Sequence, residues 1–346
     1  MKVSLARNHA IEWVTNYASL KEGFRGAYFS GSTIELSQDT VLPSTSDIDI
    51  VIVTASDSPP LKLGKFLYKN TLLEVTYLSW DQLQIPEEVL TSYHLAGSFR
   101  VDTIISDPTG HLRRLQNYIS TNFANITWVR KRCNNVFQKI KNGIISIDTT
   151  APFHNLVTSW LFPTGITTHA VLVAALRNPT VRKRYTAARE VLVEYKQEEI
   201  YEEFLQLIGC QHMTAHNIEN YLNELTKIFD VASAIAKTPF FFSSDITRIS
   251  RPIAIDGSRE LIRSGYHHEA VFWIVATFAR CHMILEADAP QDLQDKYLPA
   301  FEALIRDLGI HSRNDFVIRG EAVIQFLPRL IEITEVIMLA NKEIHD

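Results

Sequence analysis

Two aspartates alternate with branched apolar residues in the segment Ser46–Val53, and this pattern constrains the fold more than any other part of the chain. A period of two with β-branched residues is typical of a strand that has one face in a core. On such a strand Asp47 and Asp49 point to one face, while Ile48 and Ile50 point to the other. Two carboxylates held this close repel each other, and one takes up a proton unless a cation neutralises them. The segment therefore predicts a core strand that presents a site for divalent cations.

Two further strands are predicted around this segment. Gly26–Ser30 is a short β run that ends at Gly31 and Ser32, and Thr71–Leu78 is a third run. Glu74 is the only acid in this third run, and a carboxylate in an otherwise apolar strand is either paired or exposed. A pairing with the two aspartates is the functional interpretation. A surface acid on an edge strand is the alternative.

The residue types at these positions suit the transfer of a phosphate group. A Gly-Ser pair after a strand, here Gly31 and Ser32, lets the backbone approach a phosphate closely and supplies donor groups. In phosphoryl and nucleotidyl transfer, two metal ions clamp the attacking and leaving oxygens. Three carboxylates on neighbouring strands, Asp47, Asp49 and Glu74, are predicted to hold those ions. A solvated strand end is the alternative for the two aspartates.

The sequence pattern changes after Asp107, where Asp107–Gly110 interrupts the chain and helical periodicity begins. A length of 346 residues suits two domains. We therefore predict an α+β domain at 1–107, with a small mixed β-sheet and helices, followed by an all-α helical domain at 108–346. Helices are predicted at 4–20, 112–123, 128–141, 154–162, 167–177, 181–208, 218–235, 258–286, 293–308 and 321–341.

Composition and charge exclude several classes of protein. The net charge of -5 argues against a broad surface for nucleic acid, because phosphate neutralisation needs excess Lys and Arg. The N-terminus has no apolar signal segment, so a cytoplasmic location is expected. The uncharged run between Asp148 and Arg177 contains Pro152 and Pro163, which predicts buried helices rather than a membrane span.

Two short basic runs, Arg130–Arg132 and Arg182–Arg184, are the remaining charge features. Cations of this kind stabilise transferring phosphates, so contact with a triphosphate or a nucleic acid is one interpretation. Short basic runs are more often solvated faces of helices. We therefore predict that both runs lie at the surface.

The order of the motifs resembles one known superfamily. Gly31 and Ser32, a variable loop, the pair Asp47 and Asp49, and then Glu74 on a later strand resemble the polymerase-β-like nucleotidyltransferases. The Glu-Val-x-aromatic order that begins at Glu74 looks closest to the antibiotic nucleotidyltransferases of the kanamycin type. In those enzymes a similar small α/β domain precedes a helical domain.

The resemblance covers roughly residues 26–80 and implies a nucleotidyltransferase catalytic domain followed by a helical domain for substrate binding or interaction. It implies that the Gly-Ser pair holds triphosphate oxygens and that the two aspartates ligate two Mg²⁺ ions. Glu74 would be a third ligand or would activate the acceptor hydroxyl. The donor would be a nucleoside triphosphate, with ATP favoured.

The expected function is transfer of a nucleoside monophosphate to a hydroxyl of a small molecule, with release of pyrophosphate. An aminoglycoside-like acceptor follows only from the resemblance, and the acidic charge balance favours a small molecule over nucleic acid. One alternative is a protein-modifying or antitoxin-type nucleotidyltransferase. Another is a non-catalytic nucleotide-binding module, because Thr33–Leu36 stands where the family often has a glycine and a basic residue. The sequence is compatible with a homodimer.

Overall fold

A computed structural model describes residues 1–43, 45–179 and 182–346. The chain forms two compact units. The first comprises residues 1–132, a short segment that begins at Asn178, and the C-terminal residues 343–346, and the second comprises the remainder. The domain boundary predicted after Asp107 stays a prediction, because compactness alone does not define where a functional domain ends.

The first unit is built on a mixed sheet, as the sequence predicted, and this sheet has five strands. Its strands are β1 (Phe24–Ser30), β2 (Ile48–Thr54), β3 (Gly64–Tyr68), β4 (Thr71–Ser79) and β5 (Ile104–Ser106). The strand order is β3-β4-β2-β1-β5. The β2 and β4 strands pair in parallel, and the other neighbours pair antiparallel. The sheet therefore places β2 and β4 side by side, away from its edges.

The alternating pattern of β2 decides which of its faces enters the core. Ile48, Ile50 and Ile52 are at most 3% exposed, whereas Asp49 between them is half-buried. This distribution confirms the alternation predicted from the sequence. The core on the isoleucine side is completed by buried alanines and branched residues of the N-terminal helix and of neighbouring strands.

The N-terminal helix packs on this core and confirms the helix predicted there. Helix α1 covers Val3–Trp13 and continues as a π-helical turn over Val14–Ala18. Ala6 and Ala10 on this helix are fully buried in the same cluster as the β2 isoleucines. Small residues on the contact face let the helix backbone approach the sheet closely.

The strands β3 and β5 were not predicted from the sequence. The β5 strand has only three residues, which is too short for a recognisable period. The β3 strand is joined to β4 by Lys69 and Asn70, which both have positive φ values of 47° and 63°. Two such residues form the turn whose twist suits a tight hairpin, and asparagine tolerates this conformation. The hairpin fixes which β3 residues lie opposite β4.

The second unit is mostly helical, and the chain enters it within the helix Ile126–Ile145. Besides α1, two further α-helices of the first unit precede that helix. The helices after α1 are α2 (Pro86–Thr91), α3 (His111–Asn122), α4 (Ile126–Ile145), α5 (Phe153–Ala174), α6 (Arg184–Glu194), α7 (Tyr201–Ile208), α8 (Ala215–Ile235), α9 (Gly257–Arg263), α10 (His267–Asp288), α11 (Gln291–Asp307) and α12 (Arg313–Ala340).

The sequence predicted one continuous helix over 181–208, and this prediction is wrong. The chain forms two helices there, α6 and α7, with an irregular connection between them. Lys196 in that connection has a φ of 57°, which an α-helix does not accept. The predicted start at Val181 lies outside the described residues.

A second long prediction, 258–286, is also divided, into α9 and α10. Gly265 between them has a φ of 85°, the left-handed conformation that ends helices. The opposite error occurs earlier in the chain, where two helices predicted on either side of Pro163 form the single helix α5. Helical periodicity therefore located these segments and misjudged their ends.

Helices α5 and α10 are long and apolar enough to cross a membrane by length and composition alone. In each of them 78% of the apolar window is buried inside the structure, which is the usual situation of a core helix. The uncharged run between Asp148 and Arg177 accordingly forms a buried helix, as predicted.

The two basic runs are not simple surface features, and that prediction is wrong for one arginine in each. Arg132 is 2% exposed, donates to the Phe123 carbonyl and lies 4.2 Å from the centre of the Phe123 ring. Arg184 is 4% exposed and lies 4.2 Å from the centre of the Phe272 ring. A guanidinium can stack on an aromatic face inside a protein, and short sequence runs do not reveal this.

Candidate metal centre

The structure brings the three predicted carboxylates together on two adjacent strands. Asp49 on β2 lies directly opposite Glu74 on β4 in the parallel ladder, and Asp47 immediately precedes β2. One oxygen from each of the three carboxylates lies within 4.8 Å of the others. All three residues are half-buried, so a fully solvated strand end does not describe the aspartates. Because β4 is an inner strand, the edge-strand interpretation of Glu74 is wrong.

Gly31 lies against the second aspartate. Its φ is 72°, and a Cβ atom at this position would stand 1.8 Å from Oδ2 of Asp49, so only glycine fits. Ser30 pairs with Asp49 in the ladder between β1 and β2, which fixes the approach. The Gly31 carbonyl accepts a hydrogen bond of 2.6 Å from Nδ2 of Asn178. Ser32, the next residue, is exposed to solvent in the short turn after β1.

The turn that carries Gly31 and Ser32 is anchored by an arginine from α1. Nη2 of Arg7 donates to the carbonyl of Thr33 at 2.6 Å and to that of Ile34 at 2.9 Å. Two bonds from one planar group hold the turn against the helix. The sequence offered no signal for Arg7 or Asn178, because each acts on a turn far from it along the chain.

Two lysines that the sequence analysis missed enter the cluster of acids. Nζ of Lys65 donates to Oε2 of Glu74 and lies 3.3 Å from Oδ2 of Asp47. Nζ of Lys62 lies 2.8 Å from Oε1 of Glu74. The hairpin between β3 and β4 places Lys65 opposite Glu74. A prediction of this hairpin would have identified Lys65, but β3 was not predicted.

The charges of this cluster act unequally on its three acids. Burial raises the pKa of Asp49 well above its ordinary value, and the charges of Asp47 and Glu74 raise it further. Burial also raises the pKa of Asp47, although Lys65 opposes the shift. Burial alone would raise the pKa of Glu74, but Lys65 and Lys62 outweigh it and lower that pKa to about 2. The lysines thus satisfy Glu74, while Asp49 carries the least compensated charge.

Such a cluster has the composition of a site for a hard divalent cation. Mg²⁺ and similar ions bind carboxylate oxygens, and one or two carboxylates plus substrate phosphates are their usual ligands in enzymes. The raised pKa of Asp49 means that its negative charge is unfavourable in the protein alone. A bound cation would relieve this cost. Among the described residues, these three acids are the group close enough together to hold an ion.

The helical unit contains a buried acid of a different kind. Glu269 on α10 is 5% exposed and accepts a hydrogen bond of 2.7 Å from the Tyr201 hydroxyl. Nη1 of Arg189 lies 3.5 Å from the same carboxylate oxygen. A single carboxylate with one donor and one cation is satisfied by its neighbours. This arrangement serves the packing of the helices and does not require a ligand.

Comparison with known proteins adds no family to these observations. The chain matches none of the protein-family models scanned, and a search of the curated proteins gives no significant match. The resemblance to polymerase-β-like nucleotidyltransferases therefore stays a prediction.

Proposed function

We propose that this protein is a magnesium-dependent nucleotidyltransferase that moves a nucleoside monophosphate from a triphosphate, with ATP favoured, to a hydroxyl of a small-molecule acceptor. The observation that supports it is the meeting of three carboxylates within 4.8 Å beside the Gly31 turn. The burial of α5 and α10 is compatible with a soluble, cytoplasmic enzyme.

Asp47, Asp49 and Glu74 would hold the magnesium ions through oxygen ligands. Bound magnesium supplies charge neutralisation to the triphosphate and to the departing pyrophosphate. A general base that works near neutral pH needs a pKa near that pH. The lowered pKa of Glu74, about 2, therefore favours its role as a ligand over activation of the acceptor hydroxyl.

Gly31 and Ser32 would receive the triphosphate. The exposed hydroxyl of Ser32 and the backbone of the turn can donate to phosphate oxygens. Arg7 and Asn178 hold the turn in one conformation before any ligand arrives, which lowers the entropic cost of binding. An acceptor hydroxyl would then displace pyrophosphate in line at the α-phosphate.

Thermal unfolding with each of the four ribonucleoside triphosphates, with and without magnesium, tests this function. A ligand present at 100 times its Kd stabilises the folded state by about 2.7 kcal/mol. We expect one triphosphate to raise Tm only when magnesium is present. Asp47→Asn should abolish the shift, whereas Asp39→Asn, whose side chain is 85% exposed, should retain it. Absence of a shift with every triphosphate would contradict the proposal.

Pyrophosphate release identifies the acceptor once the donor is known. Small hydroxyl compounds, including aminoglycosides, are offered with the stabilising triphosphate, and products are identified by mass spectrometry. A mass increase of one nucleoside monophosphate on a small molecule is the expected result. The same increase on a protein would replace the small acceptor with a protein acceptor.

One observation favours a second candidate, a non-catalytic nucleotide-binding module. Lys62 and Lys65 already neutralise Glu74, and a domain that no longer uses metal would gain stability from such pairs. This candidate predicts a triphosphate-induced rise in Tm that is the same with and without magnesium. It also predicts that no pyrophosphate is released with any acceptor.

A further inference from the structure

Lys65 occupies a distinctive place in the metal centre. It lies on the edge strand β3, directly opposite Glu74 in the antiparallel ladder. Its ammonium contacts Glu74 and is 3.3 Å from Oδ2 of Asp47, although Asp47 lies outside the hairpin of β3 and β4, immediately before β2. Only 9% of the Lys65 side chain is exposed. An ordinary cross-strand ion pair would engage Glu74 alone.

The ammonium therefore uses oxygens that a metal ion would need. Oxygens of the three acids lie within 4.8 Å of one another, and Lys65 already forms salt bridges with two of these acids. Magnesium requires oxygen ligands at about 2.0–2.1 Å in a near-octahedral arrangement. Two cations cannot share the same carboxylate oxygens at such distances without strong repulsion.

We infer that Lys65 sets the metal affinity of this centre, as an internal cation that must leave Asp47 and Glu74 before a divalent ion binds them. The inference rests on the proposed function only in taking the three carboxylates as metal ligands. The edge position of β3 and the flexible lysine side chain give the ammonium room to move towards solvent. A centre of this design resists free metal and keeps its carboxylates partly neutralised when no substrate is present.

Lys62 offers a matched comparison within the same centre. It also pairs with Glu74, but its side chain is 20% exposed, against 9% for Lys65. Solvent screens an exposed charge more strongly than a buried one. Removing the Lys62 charge should therefore change metal affinity in the same direction as removing the Lys65 charge, but by less.

Binding of Mn²⁺ alone to the full chain, followed by the electron paramagnetic resonance of the free ion, tests this inference without any activity measurement. We expect Lys65→Met to bind Mn²⁺ roughly tenfold to a hundredfold more tightly than the unmodified chain, the effect of removing one nearby like charge. Lys62→Met should give a smaller gain. Lys65→Arg, which keeps the charge, should bind as weakly as the unmodified chain. Addition of Asp49→Asn to Lys65→Met should abolish the gain.

A measurement on the unmodified chain guards against a folding defect in these variants. An amine-acetylating reagent with peptide mass spectrometry reports the reactivity of Lys65 at increasing Mn²⁺ concentration. Release from the carboxylates should raise the acetylation rate of Lys65 as the site fills. If the unmodified chain binds Mn²⁺, an acetylation rate that stays constant or falls once the site is saturated would overturn the inference.

The outcomes separate this inference from the proposed function. If the unmodified chain and Lys65→Met bind Mn²⁺ equally well, and Asp49→Asn abolishes both, the metal centre stands and the role of Lys65 is refuted. If no form of the chain binds Mn²⁺, the metal centre itself fails, and the inference fails with it. Binding by Lys65→Met alone would support the inference and show that the lysine excludes free metal from the native site.

Discussion

Glu269 in the helical unit is one buried carboxylate with a hydroxyl donor and an arginine. In the first unit, two lysines contact Glu74, and one of them also lies near Asp47. In the helical unit the polar groups around the acid satisfy it. In the first unit the charge of Asp49 is not satisfied, and burial together with its acidic neighbours raises its pKa.

The difference separates an acid that its neighbours already satisfy from a group of acids that suits the proposed function. Folding alone favours the arrangement around Glu269, because each buried polar group has a partner. Folding alone opposes the burial of Asp49 beside Asp47 and Glu74, because like charges brought together destabilise the ionised form of Asp49 in the folded state. A single substitution of Asp49 would remove this repulsion. An acid kept in such an unfavourable place is therefore a candidate for a functional role.

The largest expected effect comes from Asp49→Asn, which removes the least compensated charge. Under the proposed function, Asp49 is a metal ligand, and its loss should lower nucleotidyl transfer roughly a hundredfold or more, as does removal of other charge-stabilising groups in active sites. The amide should also raise Tm in metal-free buffer, since it relieves the repulsion. Pyrophosphate release and thermal unfolding in a chelator measure the two effects. A fall in Tm would instead assign Asp49 a structural role like that of Glu269.

Alanine substitutions at two glycines test how closely the Gly31 turn approaches Asp49. Gly265→Ala should cost about 1–2 kcal/mol, because its φ is 85° and a Cβ there meets nothing within 4 Å. Gly31→Ala should cost about 3 kcal/mol or more, since a clash with Asp49 adds to the same backbone penalty. Denaturant unfolding gives both values. Equal costs would mean that the turn can move away from Asp49.

Tyr201→Phe tests the helical side of the comparison. It removes the hydroxyl that donates to buried Glu269 at 2.7 Å, which should destabilise the protein by about 2 kcal/mol. Mn²⁺ affinity should not change, because Glu269 has no part in the metal centre. Thermal unfolding and the Mn²⁺ titration measure both quantities. A change in Mn²⁺ binding would break the distinction between the two kinds of acid.

The smallest effect is the pH dependence contributed by Glu74. Because its pKa is lowered from 4.5 to about 2 in the folded chain, ionised Glu74 stabilises the fold above pH 4.5. This stabilisation is lost as pH falls from 4.5 to about 2. Glu74→Gln should therefore have a free energy of unfolding about 1 kcal/mol lower than that of the unmodified chain near neutral pH, and the difference should shrink as the solution is acidified.

Asp49 gives the opposite sign in the same metal-free titration. Since its pKa is raised in the folded chain, its contribution becomes more unfavourable as pH rises above its ordinary value of 3.8. The gain in Tm from Asp49→Asn should accordingly grow with pH, while the loss from Glu74→Gln also grows. If the Tm differences of both variants from the unmodified chain changed in the same direction with pH, the conclusion that the lysines compensate Glu74 more than Asp49 would be refuted.

Local pattern alone determined a large part of this protein. The alternation in Ser46–Val53 predicted that Asp47 and Asp49 share a face and that the isoleucines enter the core, and the structure confirms both. Helical periodicity likewise predicted that most of the chain after Asp107 is helical. These features depend on residues a few positions apart, whose directions follow from the period of the strand or helix.

Only the tertiary structure decided how the centre is assembled. The parallel register that sets Asp49 opposite Glu74, the hairpin that delivers Lys65, and the bond from Asn178 to Gly31 all join residues distant in the chain. Periodicity gives the face of a strand, but it does not choose the neighbouring strand or its register, which depend on the packing of the whole sheet. The acids were therefore predicted from the sequence, and the lysines that oppose their charge were not, because the hairpin that brings Lys65 to Glu74 was not predicted.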